Sequence, residues 1–68
     1  MTWEELKEEA KKMGNKCKAE NIISFKKNGL YFNCYKYGSI SIADTRANDI
    51  TVKDRTPDQM LAIMKALQ

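Results

Sequence analysis

The side chains in this sequence that could act as nucleophiles, bases or metal ligands include cysteines, carboxylates and tyrosines. The 68-residue chain contains no histidine. Hydrolytic and acyl-transfer sites usually pair a nucleophile with a base, most often histidine, so a Cys-His arrangement is excluded. Cys34 is expected on the core side of a strand, where a thiol is inert. The sequence therefore predicts a protein without catalytic residues, and not an enzyme.

The two cysteines, Cys17 and Cys34, do not have the spacing of a zinc site, and without histidine such a site would lack further ligands. If residues 17–25 form one extended strand that pairs with the next, Cys34 lies opposite Ile23. Ile23 is six strand residues from Cys17, a distance of roughly 20 Å, so Cys34 would be far from Cys17. A disulfide needs Cα atoms within about 7 Å. Both thiols are predicted to be free. Residues 1–5 show no signal-peptide pattern, which predicts a cytoplasmic protein.

Carboxylate groups offer no stronger metal site. Glu4/Glu8 and Glu5/Glu9 lie one helical turn apart and could hold a divalent ion, but this spacing is more typical of a solvated charged face. The polar segment 44–49 lacks the order of a calcium loop and indicates a turn. The glycines sit at the boundaries of elements and form no phosphate loop. Neither a metal nor a cofactor is predicted.

A cluster of aromatic and basic residues in the middle of the chain is the strongest candidate for binding. The formal net charge is +3, and the excess of lysine falls within residues 16–37. Tyrosines beside lysine on a sheet could stack bases and hold phosphates. Cross-strand packing on an ordinary sheet surface, or burial against a second copy of the chain, explains the same residues and is favoured over base stacking. The candidate binding residues are Tyr31, Tyr35, Tyr37, Lys26, Lys27 and Lys36.

Helix signals stand at both ends of the chain. Thr2 followed by Glu5 has capping-box spacing, and Thr56 followed by Gln59 repeats it. Apolar residues recur at helical spacing after each signal. The predicted helices cover residues 3–13 and 57–67.

The pair Asn28-Gly29 supplies the two positive φ angles of a type I′ turn. A two-residue turn sets Phe25 opposite Phe32 on the face that points to the core. Tyr31 and Tyr35 then lie on the other face, which is predicted to be the wetter one.

Residues 39–43 alternate as a third strand, and residues 50–52 can extend as a short fourth. The chain is thus predicted to form a single small α+β domain over residues 1–68, in the order α-β-β-β-(β)-α. Its antiparallel sheet has three to four strands, with the two terminal helices packed on one face. Domains this small often need a partner chain for stability, which favours a homodimer.

This order of elements resembles the double-stranded RNA-binding domain. That family places a basic Lys-Lys-x-Ala-Lys run at the start of its second helix and a Gly-Pro-x-His loop between strands. Here the helix opens with the acidic segment Thr56-Pro57-Asp58-Gln59, and the loop at Tyr37-Gly38 has neither proline nor histidine. The resemblance implies a topology and not phosphate binding by that route.

The two ends of the chain, TWEELKEEAK (residues 2–11) and DRTPDQMLAIMKAL (residues 54–67), resemble those of a second group. They are similar to small uncharacterised proteins from prophage and mobile-element regions of low-GC Gram-positive bacteria. That resemblance implies no known activity. It suggests a small accessory or regulatory binding protein.

These features together predict a cytoplasmic, non-enzymatic interaction module that self-associates through its tyrosine-bearing sheet face. The alternative is a weak single-stranded or structured nucleic-acid-binding protein, in which Tyr31, Tyr35 and Tyr37 act with the nearby lysines. The partner is accordingly a second copy or another protein, or else a nucleic acid. The composition is too mixed for a membrane span.

Overall fold

The computed structural model describes residues 1–67, which form two helices and five strands. In chain order these are α1 (Trp3–Lys12), β1 (Lys16–Ala19), β2 (Ile22–Lys27), β3 (Leu30–Tyr35), β4 (Ile40–Ala43), β5 (Asp49–Val52) and α2 (Pro57–Ala66). The strands form one antiparallel sheet in the order β1-β2-β3-β4-β5. The prediction of an α+β fold with an antiparallel sheet and two terminal helices is confirmed.

The central hairpin has the predicted turn and register. Asn28 and Gly29 both adopt positive φ angles, 52° and 78°, as a type I′ turn requires. Phe25 pairs with Phe32, and their rings stack with centroids 4.7 Å apart. The hairpin therefore holds its core-facing side chains in one row and leaves Tyr31 on the opposite face.

The prediction of three to four strands is wrong, because the sheet has five. Residues 16–19 form a separate first strand that turns back at Glu20-Asn21 and pairs with β2. At the other edge, the segment around Ile50 does form a paired strand, antiparallel to β4. The sheet is thus one strand wider on the β1 side than the sequence predicted.

The extra strand changes the geometry of the two cysteines. Cys17 and Cys34 both lie in register with Ile23, from opposite sides of β2. Two strand spacings put their Cα atoms roughly 10 Å apart, which still exceeds the reach of a disulfide. The predicted separation along one long strand was wrong, but both thiols are free as predicted.

Both helices begin as predicted. The Glu5 amide donates to the Thr2 hydroxyl oxygen (3.1 Å) and the Gln59 amide donates to that of Thr56 (3.2 Å). The side chains of Glu5 and Gln59 in turn accept a hydrogen bond from the backbone amides of Thr2 and Thr56, each at 2.9 Å. Each box satisfies two amide donors that the first helical turn leaves without intrahelical partners.

The core lies between the two helices and one face of the sheet. It is built almost entirely from aliphatic, sulfur-containing and aromatic side chains that exclude water. The buried core cluster is Trp3, Leu6 and Ala10 from α1, Met60 and Met64 from α2, and Ile23, Cys34 and Ile40 from the sheet. Because all three sheet residues belong to one face, both helices pack on that face.

Two hydrogen bonds connect loops to neighbouring parts of the fold. The indole Nε1–H of Trp3 donates to the carbonyl of Glu20 (3.1 Å) and holds α1 beside the β1–β2 turn. The amide of Arg55 donates to the carbonyl of Gly38 (2.8 Å), which joins the segment before α2 to the β3–β4 turn. Gly38 has φ 101°, and a Cβ there would lie 3.1 Å from the Arg55 carbonyl oxygen.

Gly38→Ala is expected to lower the free energy of unfolding by about 1–3 kcal/mol, since alanine is strained at this φ and would crowd the Arg55 backbone. Gly29→Ala is the matched control, because its φ is also positive but no atom lies within 4 Å of the added Cβ. Urea unfolding of both variants measures the difference. Equal losses would show that the approach to Arg55 contributes nothing.

Candidate functional site

The face of the sheet opposite the helices carries three of the predicted binding residues. Lys26 pairs with Tyr31 across the central hairpin, and its ammonium nitrogen lies 5.1 Å from the centre of the tyrosine ring. This distance is typical of a cation–π contact. Tyr31 is 42% exposed, whereas Tyr35 is half-buried at the other end of β3, about 13 Å along the strand. We call this surface the open face.

A row of polar side chains crosses the open face from one edge of the sheet to the other. Successive members face each other in neighbouring strands; they are Lys16, Ser24, Asn33, Ser41 and Thr51. At the centre of the row the Ser24 hydroxyl donates to Asn33 Oδ1 at 2.6 Å. Asn33 Oδ1 is therefore occupied, while its amide nitrogen remains a donor for a ligand.

The lysine end of this row forms a concavity of about 710 Å³. Its lining includes Lys16, Lys18 and Lys26 together with Tyr31, and none of its lining residues is acidic. Positive charge concentrated in a concave surface raises the local concentration of anions. We call this region the lysine concavity, and chemically it fits an anion that also presents a planar or apolar group.

The remaining predicted residues lie elsewhere. Lys27 lies two residues after Phe25 in β2, so it is on the same, helix-facing side of the sheet, at the hairpin tip. It lines a small cavity together with Met64. Lys36 and Tyr37 lie in the β3–β4 turn, where Tyr37 is 82% exposed. The structure therefore brings Lys26 and Tyr31 into contact and separates them from the other predicted lysines.

Sequence reasoning missed Lys16 and Lys18. The prediction treats residues 17–25 as one extended strand, so β1 was not predicted as a separate strand. The signal was present, because Lys16-Cys17-Lys18-Ala19 alternates polar and apolar residues with the period of a strand. Recognition of that short alternation would have placed two further lysines on the tyrosine-bearing face.

The carboxylates on α1 face lysines rather than one another. Glu4 lies 3.0 Å from Lys7, and Glu9 lies 3.5 Å from Lys12, in each case one helical turn later. The hydrogen bond that Lys7 donates to the Glu4 carboxylate raises the pKa of Lys7. This arrangement is that of a solvated helix surface, as the sequence indicated.

In the turn between β4 and β5, the carboxylate oxygens of Asp44 accept hydrogen bonds from residues of the same turn. The Asp44 carboxylate accepts hydrogen bonds from the amides of Arg46 (2.8 Å) and Asn48 (3.0 Å) and from the Asn48 side chain (3.2 Å). The side-chain bond from Asn48 is the main reason that the pKa of Asp44 is lowered. Within residues 1–67, no three cysteine or acidic side chains cluster as metal ligands would.

Cys34 is fully buried, as predicted from its core-facing register. Desolvation raises the pKa of its thiol to about 11, because the burial that excludes water disfavours the thiolate. A thiol that holds its proton this firmly is a poor nucleophile.

Comparisons with known proteins match the chain to no family model, no curated protein and no solved structure. The resemblances to the double-stranded RNA-binding domain and to prophage-region proteins therefore stay predictions. In the part of the chain that the structure describes, neither helix is long and apolar enough to cross a membrane.

Alkylation of the folded protein with iodoacetamide at pH 8 is expected to label Cys17 well before Cys34. The reason is that Cys34 is buried and keeps its proton, whereas Cys17 is half-buried near the β1 edge. Mass spectrometry after proteolysis gives the site of labelling. A Cys17→Ser variant should resist labelling until it is unfolded; equal labelling of both cysteines in the folded protein would contradict the burial argument.

Proposed function

We propose that this chain is a non-enzymatic binding protein whose open face holds a single strand of nucleic acid. The observation that carries the proposal is the lysine concavity, which three lysines and an exposed tyrosine line together and in which no lining residue is acidic. Surfaces that bind single strands combine basic grooves along the backbone with aromatic rings on which bases stack. Both components occur here in one concave surface.

Tyr31 is the stacking residue in this proposal. A base would take the exposed part of its ring, and stacking of this kind tolerates any sequence because every base has a π-face. Lys26 lies over the same ring on a flexible stem, so its ammonium group can exchange the ring for a phosphate oxygen. Lys16 and Lys18, which line the same concavity, provide further phosphate contacts.

The polar row provides a second kind of contact. The hydroxyl of Ser24 on β2 and the amide nitrogen of Asn33 on β3 follow Lys16 in this row. These groups offer donors and acceptors to base edges that an unpaired strand exposes. The contacts would orient a base without strongly selecting its identity, which fits a binder of low sequence preference.

The charge of the lysine concavity weighs against the first expectation from the sequence, self-association through the tyrosine face. Two copies that met through this surface would bring Lys16, Lys18 and Lys26 towards their counterparts. Like charges placed together across an interface cost several kcal/mol. An anionic partner removes this repulsion, so the nucleic-acid alternative is the better supported function.

Binding of a fluorescent mixed-sequence single-stranded oligonucleotide should be detectable by anisotropy at low salt and should fall steeply as salt increases, because phosphate contacts release counterions. Tyr31→Ala should weaken binding by roughly 5- to 150-fold, the value of one stacked base. Lys26→Ala should lower the salt slope by about 1.

Lys27→Ala is the matched control for Lys26→Ala, since the two lysines are adjacent in sequence and lie on opposite sides of the sheet. It should leave affinity within about twofold of the original. Absence of binding at low salt would remove the proposal. An equal loss in the Lys27 and Lys26 variants would show attraction by overall charge rather than by the lysine concavity.

A further inference from the structure

The two edges of the sheet differ in how they resist pairing with another chain. β1 carries Lys16 and Lys18 and has a register shift between Cys17 and Ala19. Lysines and bulges are both devices that keep an edge strand unpaired. β5, the other edge, has continuous register along its four residues and contains neither proline nor lysine. Only the β1 edge thus shows these protective features.

The free edge of β5 presents its backbone groups in a regular order. The amide of Asp44 donates to the carbonyl of Asn48 (3.0 Å), so this pair is a hydrogen-bonded one. Antiparallel pairs alternate between hydrogen-bonded and non-hydrogen-bonded, so Ile50 and Val52 direct their backbone groups to β4. Asp49 and Thr51 therefore direct their amides and carbonyls outwards, away from the sheet.

We propose that β5 pairs antiparallel with β5 of a second copy of this chain, about a two-fold axis through Thr51. The outward groups of Thr51 then bond to those of Thr51 in the second copy. In this register Asp49 of each copy faces Lys53 of the other, and Ile50 faces Val52. The two sheets join edge to edge with their helices on the same side.

Charge complementarity fixes this register. Asp49 and Lys53 are both exposed, and neither belongs to the ion pairs within residues 1–67. The proposed register pairs them twice, once on each side of the axis, and opposite charges that face each other across strands are stabilising. A shift of the axis to Ile50 keeps the sheet faces aligned but places Asp49 opposite Thr51 and loses both pairs.

The Lys53 carbonyl has one competing contact. It accepts a hydrogen bond from Nε of Arg55 at 3.3 Å, near the upper limit for such a bond. A carbonyl oxygen has a second lone pair, so the Asp49 amide of the second copy can still donate to it.

Apolar contact supports the same arrangement. Ile50 is 66% exposed although it lies on the helix side of the sheet, opposite Ile42. Val52 of the second copy would cover it, and two-fold symmetry repeats this contact. Pairing of β5 with β1 would instead be head-to-tail, would not close, and would meet the lysines and the bulge of β1. The two-fold contact uses the unprotected edge twice.

This contact is independent of the proposed function, because β5 is one edge strand of the sheet and the lysine concavity lies near the other edge, formed by β1. Sedimentation equilibrium without nucleic acid should show a concentration-dependent dimer. Asp49→Lys and Lys53→Asp should each raise the dissociation constant tenfold or more, since each places like charges in contact twice. The double variant, Asp49→Lys with Lys53→Asp, should restore it to within about threefold of the original.

Glu8→Lys is the control, because it makes the same change of charge on the exposed surface of α1, away from β5. It should leave the dissociation constant unchanged. A monomer at every concentration up to about 1 mM would overturn the proposal. So would a dimer that Asp49→Lys leaves intact, or a double variant that fails to recover association while circular dichroism shows native secondary structure.

Amide hydrogen exchange tests the register without any substitution. The Thr51 amide should become protected as the protein concentration rises, because it gains a hydrogen bond only in the dimer. The Ile50 amide bonds within the chain in both states and is the internal control. A Thr51 amide that exchanges equally fast at all concentrations at which a dimer is present would place the dimer contact elsewhere.

Discussion

The register of the central hairpin is the constraint on which the rest of the structure depends. Strand side chains alternate with a period of two, so a slip of β3 by one residue against β2 would exchange the two faces of β3. Phe32 would then leave the core, and Tyr31 would point at the helices. The positive φ angles of Asn28 and Gly29 prevent such a slip by permitting a loop of two residues. This one turn thus determines which hairpin side chains face the core and which lie on the open face.

Coverage by the helices is uneven along the helix side of the sheet. In one row of side chains, the three central members, Ile23, Cys34 and Ile40, are fully buried under α1 and α2. The neighbouring row, nearer the hairpin tip, runs from buried Phe32 to exposed Ile50 as it approaches β5. Two short helices therefore protect one end of the sheet well and leave the β5 corner partly bare. The position of this corner makes β5 the edge most suited to contact with another chain.

The elements that sequence reasoning predicted correctly are those with strong local signals. Capping boxes at Thr2 and Thr56 fix the helix starts, and Asn28-Gly29 fixes the hairpin, because each signal acts within a few residues. β1 was missed because it has four residues and its turn, Glu20-Asn21, contains neither glycine nor proline. Four residues of alternation before such a turn give only a weak signal for a separate strand paired with β2.

The candidate site was predicted in part for the same reason. Lys26 and Tyr31 follow directly from the hairpin register, whereas Lys16 depends on the missed strand. Lys27, Lys36 and Tyr37 were grouped with them by closeness in sequence, although strand parity and turn position separate them in space.

The strictly sequential strand order has a further consequence for assembly. Each strand pairing closes only a short loop and costs little chain entropy, while the meeting of α1 and α2 joins distant segments and encloses the core.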